Sequence, residues 1–90
     1  MRYNSAPSCT LFVKVSVKRT PYANTPVAIR VIADTYEGFT SNKAQFIKDL
    51  PLENTTIEQI ELVVTNLQKR ANAEFVNVKI NPAVSKFLNN

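Results

Sequence analysis

Two segments in the first third of the chain alternate side chains of opposite character. Residues 11–18 read LFVKVSVK, with Leu or Val at every odd position, and residues 27–33 read VAIRVIA, with an apolar residue at every odd position from Val27 to Ala33. A period of two residues is that of a β-strand with one buried face. Because the two strands are adjacent in sequence and similar in length, we expect an antiparallel hairpin whose odd-numbered side chains face a core.

The connections next to these strands contain residues that turn a chain. Residues 19–25 are longer than a tight turn, and Pro21 and Pro26 stiffen them, so we expect a projecting loop between the two strands. The single glycine, Gly38, predicts a second chain reversal over residues 35–39, because such a turn often requires a positive φ.

Residues 40–50 fit two interpretations. As a strand, they place Phe46 and Leu50 on one face and Ile47 on the other. As a short helix, they begin at a Ser41 cap and turn Ile47 and Leu50 inward. The preceding turn favours the strand, and the proline that follows ends either element.

Residues from Thr55 onward carry the signals of an α-helix. Thr55 followed by Glu58 matches a capping box, and apolar side chains then recur at helical spacing. These apolar positions are Ile57, Ile60, Val63, Val64, Leu67 and Ala71. Glutamates lie early and basic residues late, as the helix dipole favours. We therefore predict an amphipathic helix over residues 56–72, ended by Asn72 in the left-handed conformation.

Residues 75–80 alternate again and predict a last strand, and residues 83–88 predict one or two helical turns. The expected fold class is α+β: a small antiparallel-rich sheet in the order strand, strand, strand, helix, strand, with one long amphipathic helix packed on one face and a short C-terminal helical turn. A chain of this length buries roughly 64% of its unfolded surface, which is enough for one core. We expect residues 9–90 to form a single domain after a flexible tail at residues 1–8.

The composition argues against catalytic and metal-binding chemistry. The chain has no histidine, one cysteine and one glycine. It therefore offers no histidine base, no zinc ligand set and no glycine-rich phosphate loop. The close acidic pairs, Asp34 with Glu37 and Asp49 with Glu53, flank predicted turns, where we expect caps and solubilising charges. The sequence thus predicts no enzymatic activity, no cofactor and no metal.

The cysteine and the apolar runs bear on the cellular location. Cys9 has no partner for an internal disulfide, which favours a reducing compartment. No apolar stretch is longer than three residues, and the N-terminus lacks the apolar run of a secretory signal. We therefore expect a cytoplasmic protein without a membrane span.

Positive charge is concentrated at the start of the chain. The first 33 residues hold five Lys or Arg and no acidic residue, in a chain of net charge +4. Cations next to an aromatic ring on an open sheet suit single-stranded RNA or DNA. The candidate phosphate contacts are Lys14, Lys18, Arg19 and Arg30, and the candidate stacking residues are Phe12 and Tyr22. The alternative interpretation is the ordinary wet face of an antiparallel sheet.

The last strand offers a second candidate surface. If it lies at the edge of the sheet, its backbone can pair with a strand of a partner protein or of a second copy. The apolar residues of that edge are Phe75, Val76, Val78 and Ile80. Alternation of this kind is also typical of any core strand. We expect a small non-enzymatic binding module that acts through protein–protein contacts or self-association, with nucleic-acid binding as the alternative.

Overall fold

The computed structural model describes residues 9–37 and 45–88. The fold is α+β, with a four-stranded mixed sheet and one helix of 15 residues. The elements are β1 (Cys9–Arg19), β2 (Pro26–Glu37), β3 (Gln45–Leu50), α1 (Ile57–Ala71), β4 (Phe75–Ile80) and a short 3-10 helix (Pro82–Lys86). The strand order is β3-β2-β1-β4, in which β2 is antiparallel to both neighbours and β4 is parallel to β1. The expected tail at residues 1–8 and the turn at Gly38 lie outside the described residues.

The hairpin of β1 and β2 is antiparallel, as its alternation predicts. The odd-numbered side chains of both strands line the core: Leu11, Val13, Val15, Ile29, Val31 and Ala33 are all buried. Val27 is the exception, because it was expected in the core and is 46% exposed. The register of the hairpin shifts between Lys18 and Arg19, which leaves Val27 as an extra, unpaired residue and breaks the alternation there, and β3 pairs with β2 only from Ile29 onward.

β2 is longer than the sequence suggests. A reversal was expected over residues 35–39, but Thr35 and Tyr36 continue the strand to Glu37. Thr35 lies opposite Leu11 and is buried. The prediction was wrong here because it gave more weight to the following glycine than to Thr35 and Tyr36, whose residue types favour strands, and because the start of β1 supplies ladder partners for them.

Residues 45–50 form a strand, so the strand interpretation of this segment is confirmed and the helix interpretation is wrong. β3 pairs antiparallel with β2, with Leu50 opposite Ile29 and Ile47 opposite Ile32. Phe46 and Leu50 pack against the core, whereas Ile47 points to the other side. Residues 40–44 lie outside the described residues.

The helix has the predicted extent but a different cap. Thr56, not Thr55, is the N-cap: its hydroxyl accepts from the Gln59 amide at 3.2 Å, and the Gln59 side chain accepts from the Thr56 amide at 2.9 Å. Thr55 is buried and donates its hydroxyl proton to the Pro51 carbonyl instead. The left-handed end at Asn72 is confirmed, with φ 53° and ψ 41°.

α1 covers one side of the sheet, where Ile60 and Leu67 are buried with the core residues of β1 and β2. The short 3-10 helix adds the buried Val84 to the same core. The opposite side of the sheet, which we call the open face, carries the even-numbered residues of β1 and β2 and the odd-numbered residues of β3 and β4. In the part of the chain that the structure describes, no helix combines the length and apolar content required to cross a bilayer.

Candidate functional site

The register of the sheet brings four of the six predicted nucleic-acid contacts to the open face. Phe12, Lys14 and Lys18 alternate along β1, and Arg30 of β2 lies opposite Ser16 between them. Successive rows of side chains on this face are about 6.6 Å apart. Phe12 is 41% exposed, so its ring is accessible from this side.

Two of these cations already hold a carboxylate. Nε and Nη2 of Arg30 donate to the two carboxylate oxygens of Asp49 on β3, at 2.9 and 3.1 Å. The Lys18 ammonium lies 3.6 Å from the same carboxylate. The hydrogen bond from Arg30 lowers the pKa of Asp49, aided by the charges of Arg30 and Lys18, and the same bond raises the pKa of Arg30. Asp49 was expected at a turn; it lies within β3, directly opposite Arg30.

Arg19 and Tyr22 lie at the projecting end of the hairpin, away from Phe12. Arg19 donates to the Asn24 carbonyl at 3.1 Å and thereby braces the loop. The ring of Tyr22 is fully exposed. Because the seven residues from Phe12 to Lys18 span about 20 Å of strand, Tyr22 and Phe12 cannot stack on the same nucleotide.

Tyr36 is a residue of this face that the sequence analysis missed. Its ring meets Phe12 edge to face, with centroids 5.2 Å apart and an angle of 83° between the planes. Such a geometry is favourable between aromatic rings and holds Phe12 in place. Tyr36 has the same parity as Arg30 along β2, but the signal was lost because the segment was assigned to a turn.

Lys79 is the second residue that sequence reasoning missed. It lies on β4 directly beside Lys14 of β1. Like charges side by side on a sheet repel one another, and in residues 9–37 and 45–88 no carboxylate lies within 4.0 Å of either ammonium. The pair could not be found from sequence because it depends on the register between two strands that are far apart in sequence, Cys9–Arg19 and Phe75–Ile80.

The four predicted interface residues lie on an edge strand. β4 pairs with β1 on one side, and no other described strand lies on its free side. Phe75 points to the open face, whereas Val76, Val78 and Ile80 share the helix side with the core of β1. Val78 and Ile80 remain 41% and 40% exposed.

A groove between α1 and β4 explains this exposure. The groove has a volume of about 370 Å³, and Ile57, Ile60 and Val64 of the helix line it opposite Val78 and Ile80. α1 packs over β1 and β2, so its cover does not extend across the edge strand. Glu61 and Thr65 also line this groove, so the free edge of β4 continues into a mostly apolar groove.

A second groove lies between α1 and the opposite edge, β3. It has a volume of about 680 Å³ and contains three cations, Lys48 of β3 and Lys69 and Arg70 of α1. The Arg70 guanidinium carbon lies 5.3 Å from the centroid of the Phe46 ring, within the range of a cation–π interaction. We call this site the basic groove. The sequence analysis assigned no role to these cations.

Cys9 begins β1 and is half-buried against the core. Over the described ranges 9–37 and 45–88, the Cys, Asp and Glu side chains form no cluster of three or more that could hold a metal ion.

Comparison of the chain with protein-family models, with curated proteins and with solved structures finds no match. Function must therefore be argued from the three surfaces described above: the open face, the edge of β4 and the basic groove.

Proposed function

We propose that the protein is a small non-enzymatic binding module that self-associates through the free edge of β4. The observation that carries this proposal is the exposure of Val78 and Ile80 on an edge strand, next to a mostly apolar groove. Edge strands present backbone donors and acceptors to another chain, and proteins that avoid this pairing usually place charges there. β4 carries only one charged residue, Lys79, and that side chain points to the open face.

The chemistry of β4 suits a second copy of itself. A two-fold axis perpendicular to the sheet would place two β4 strands antiparallel and keep both helices on the same side. In a register centred on Asn77, Val76 faces Val78 of the second copy, and Phe75 faces its Lys79 on the other side of the sheet. The two lysines are kept apart, and each meets an aromatic ring.

The arrangement of the remaining elements supports the same occupant. The four-stranded sheet is antiparallel-rich, with two of three strand pairs antiparallel, so an antiparallel addition continues it as an eight-stranded sheet. Ile57 and Val64 of α1 line the groove beside β4, and their side chains are only partly buried. Residues flanking β4 in the second copy would bury them further.

Light scattering after size-exclusion chromatography tests the proposal with two matched variants. We expect the wild-type protein to show twice its 10.1 kDa mass at high micromolar concentration. Val78→Lys places a charge on the β4 edge and should give a monomer, because the charge would have to be buried. Ile47→Lys makes the same change on β3, where Ile47 is 56% exposed, and should leave the dimer intact. A wild-type monomer, or a folded Val78→Lys dimer, would contradict the proposal.

Disulfide trapping tests the register without perturbing the fold. With Cys9→Ser as background, Asn77→Cys should cross-link two copies under mild oxidation, because residues on the two-fold axis of an antiparallel pair lie about 4.5–5.5 Å apart between Cα atoms. Ile47→Cys in the same background should remain monomeric on a non-reducing gel.

A second candidate function is single-stranded nucleic-acid binding on the open face. The adjacent Lys14 and Lys79 favour it, because a phosphate between them would relieve their repulsion. Phe12 lies one row away, at a distance of about 6.6 Å, and its ring can stack with a base. Arg30 and Lys18 contribute less to phosphate binding than the sequence suggested, because both are ion-paired with Asp49.

Fluorescence anisotropy of a labelled ten-nucleotide thymidine strand tests this candidate. With two phosphate contacts, affinity should fall about sevenfold between about 50 and 200 mM salt. The double variant Lys14→Gln, Lys79→Gln should lose binding and most of the salt dependence. The matched double variant Lys48→Gln, Lys69→Gln carries the same net charge and should bind like wild type; equal losses in both would reject the open face as the site.

A further inference from the structure

The basic groove collects positive charge from two elements that are distant in sequence. Lys48 comes from β3, and Lys69 and Arg70 come from the last turn of α1. The helix dipole favours cations at this end of α1, which lowers the cost of placing Lys69 and Arg70 there but does not account for Lys48 beside them.

Within residues 9–37 and 45–88, no acidic side chain offsets these charges. Among the described residues that line the groove, none is Asp or Glu, and no described carboxylate lies within 4.0 Å of the three cations. On the open face, by contrast, Asp49 neutralises the cations it contacts. The basic groove therefore concentrates positive potential in a concave site, where field lines are focused.

The walls of the groove provide more than charge. Asn66 contributes an amide that can donate and accept hydrogen bonds, and Leu67 and Val63 form an apolar floor. Arg70 is held over the ring of Phe46, so its guanidinium is positioned by a contact rather than free in solvent. A volume of about 680 Å³ falls in the range of sites for small ligands.

We propose that the basic groove binds a small ligand with linked phosphates, of the polyphosphate or nucleoside triphosphate class. Three cations match the multiple negative charge of such a ligand better than that of a single phosphate, and the planar fork of Arg70 suits phosphate oxygens. The apolar floor and Phe46 lie where the remainder of a nucleotide would extend. This site is separate from the β4 edge and does not depend on self-association.

Isothermal titration calorimetry with inorganic tripolyphosphate tests the proposal directly. We expect saturable binding with one site per chain at about 50 mM salt, tighter than that of inorganic phosphate. The double variant Lys48→Gln, Lys69→Gln should weaken binding at least tenfold, since each charged contact is lost. Lys86→Glu lowers the net charge by the same two units, at an exposed residue of the short 3-10 helix that has no assigned binding role, and should bind within about twofold of wild type.

The outcomes separate the basic groove from general attraction between opposite charges. Equal weakening in the Lys48→Gln, Lys69→Gln double variant and in Lys86→Glu, or equal affinity for sulfate and tripolyphosphate, would overturn the proposal. Loss of oligonucleotide binding in Lys48→Gln, Lys69→Gln without any tripolyphosphate binding by the wild type would also overturn it, because the groove would then serve a polymer. Tighter binding of adenosine triphosphate than of tripolyphosphate would support contacts of the nucleoside with Phe46 and the apolar floor.

Discussion

Leu11 and Phe12 are neighbours in β1, yet they belong to two different regions of the molecule. Leu11 points to the helix side and is fully buried, whereas Phe12 points to the open face and contacts Tyr36. On the helix side, the core residues of β1 and β2 pack with α1. On the open face, cations and rings remain partly exposed, and their contacts are ion pairs and one ring–ring contact. The difference indicates that the core on the helix side contributes more to stability than the open face does.

The largest effect that separates the two faces is expected from truncating these neighbours. Leu11→Ala should lower the free energy of unfolding by about 2–5 kcal/mol, because it opens a cavity in the core. Phe12→Ala should cost about 1 kcal/mol, since its ring is partly exposed and loses mainly the contact with Tyr36. Urea unfolding followed by circular dichroism measures both values. Similar losses for the two variants would contradict the greater contribution of the helix side to stability.

The helix side was largely predictable from the sequence because its signals are local. Alternation over residues 11–18 and 27–33 identified β1 and β2, and helical periodicity located α1. The misplaced cap shows the limit of a local motif: Thr55 and Thr56 both fit, and the choice depends on the bond of Thr55 to Pro51. Tertiary packing decides such cases.

The candidate sites were less predictable because they are assembled from distant segments. Lys14 and Lys79 meet only through the parallel register of β1 and β4, and Asp49 finds Arg30 only because β3 is a strand rather than a helix. The basic groove joins β3 to the end of α1 in the same way. Composition revealed that the chain is basic, but the positions of the carboxylates decide which cations are available.

The smallest effect on stability is expected from Asp49, the β3 carboxylate that contacts Arg30 and Lys18 on the open face. Asp49→Asn removes the ion pairs of Arg30 and Lys18, and because this network is solvent-exposed, the loss of stability should be a small fraction of that for Leu11→Ala. The pKa of Asp49 is lowered by its bond to Arg30, so the network stabilises the fold above the usual aspartate pKa of about 3.9. This contribution is lost as the pH falls through the lowered pKa. Wild type should therefore approach the stability of Asp49→Asn in acid.

Asp49→Asn also tests nucleic-acid binding on the open face. Asp49→Asn releases Arg30 and Lys18 as phosphate contacts, so the affinity of the open face for a thymidine oligonucleotide should rise, and its salt dependence should steepen. Asp34→Asn is the matched control: it removes one negative charge from the same face, but Asp34 accepts from Gln45 and forms no ion pair with a described cation. If both variants tightened binding equally, the gain would reflect net charge alone. A larger gain for Asp49→Asn would show that a carboxylate on β3 limits binding on the open face.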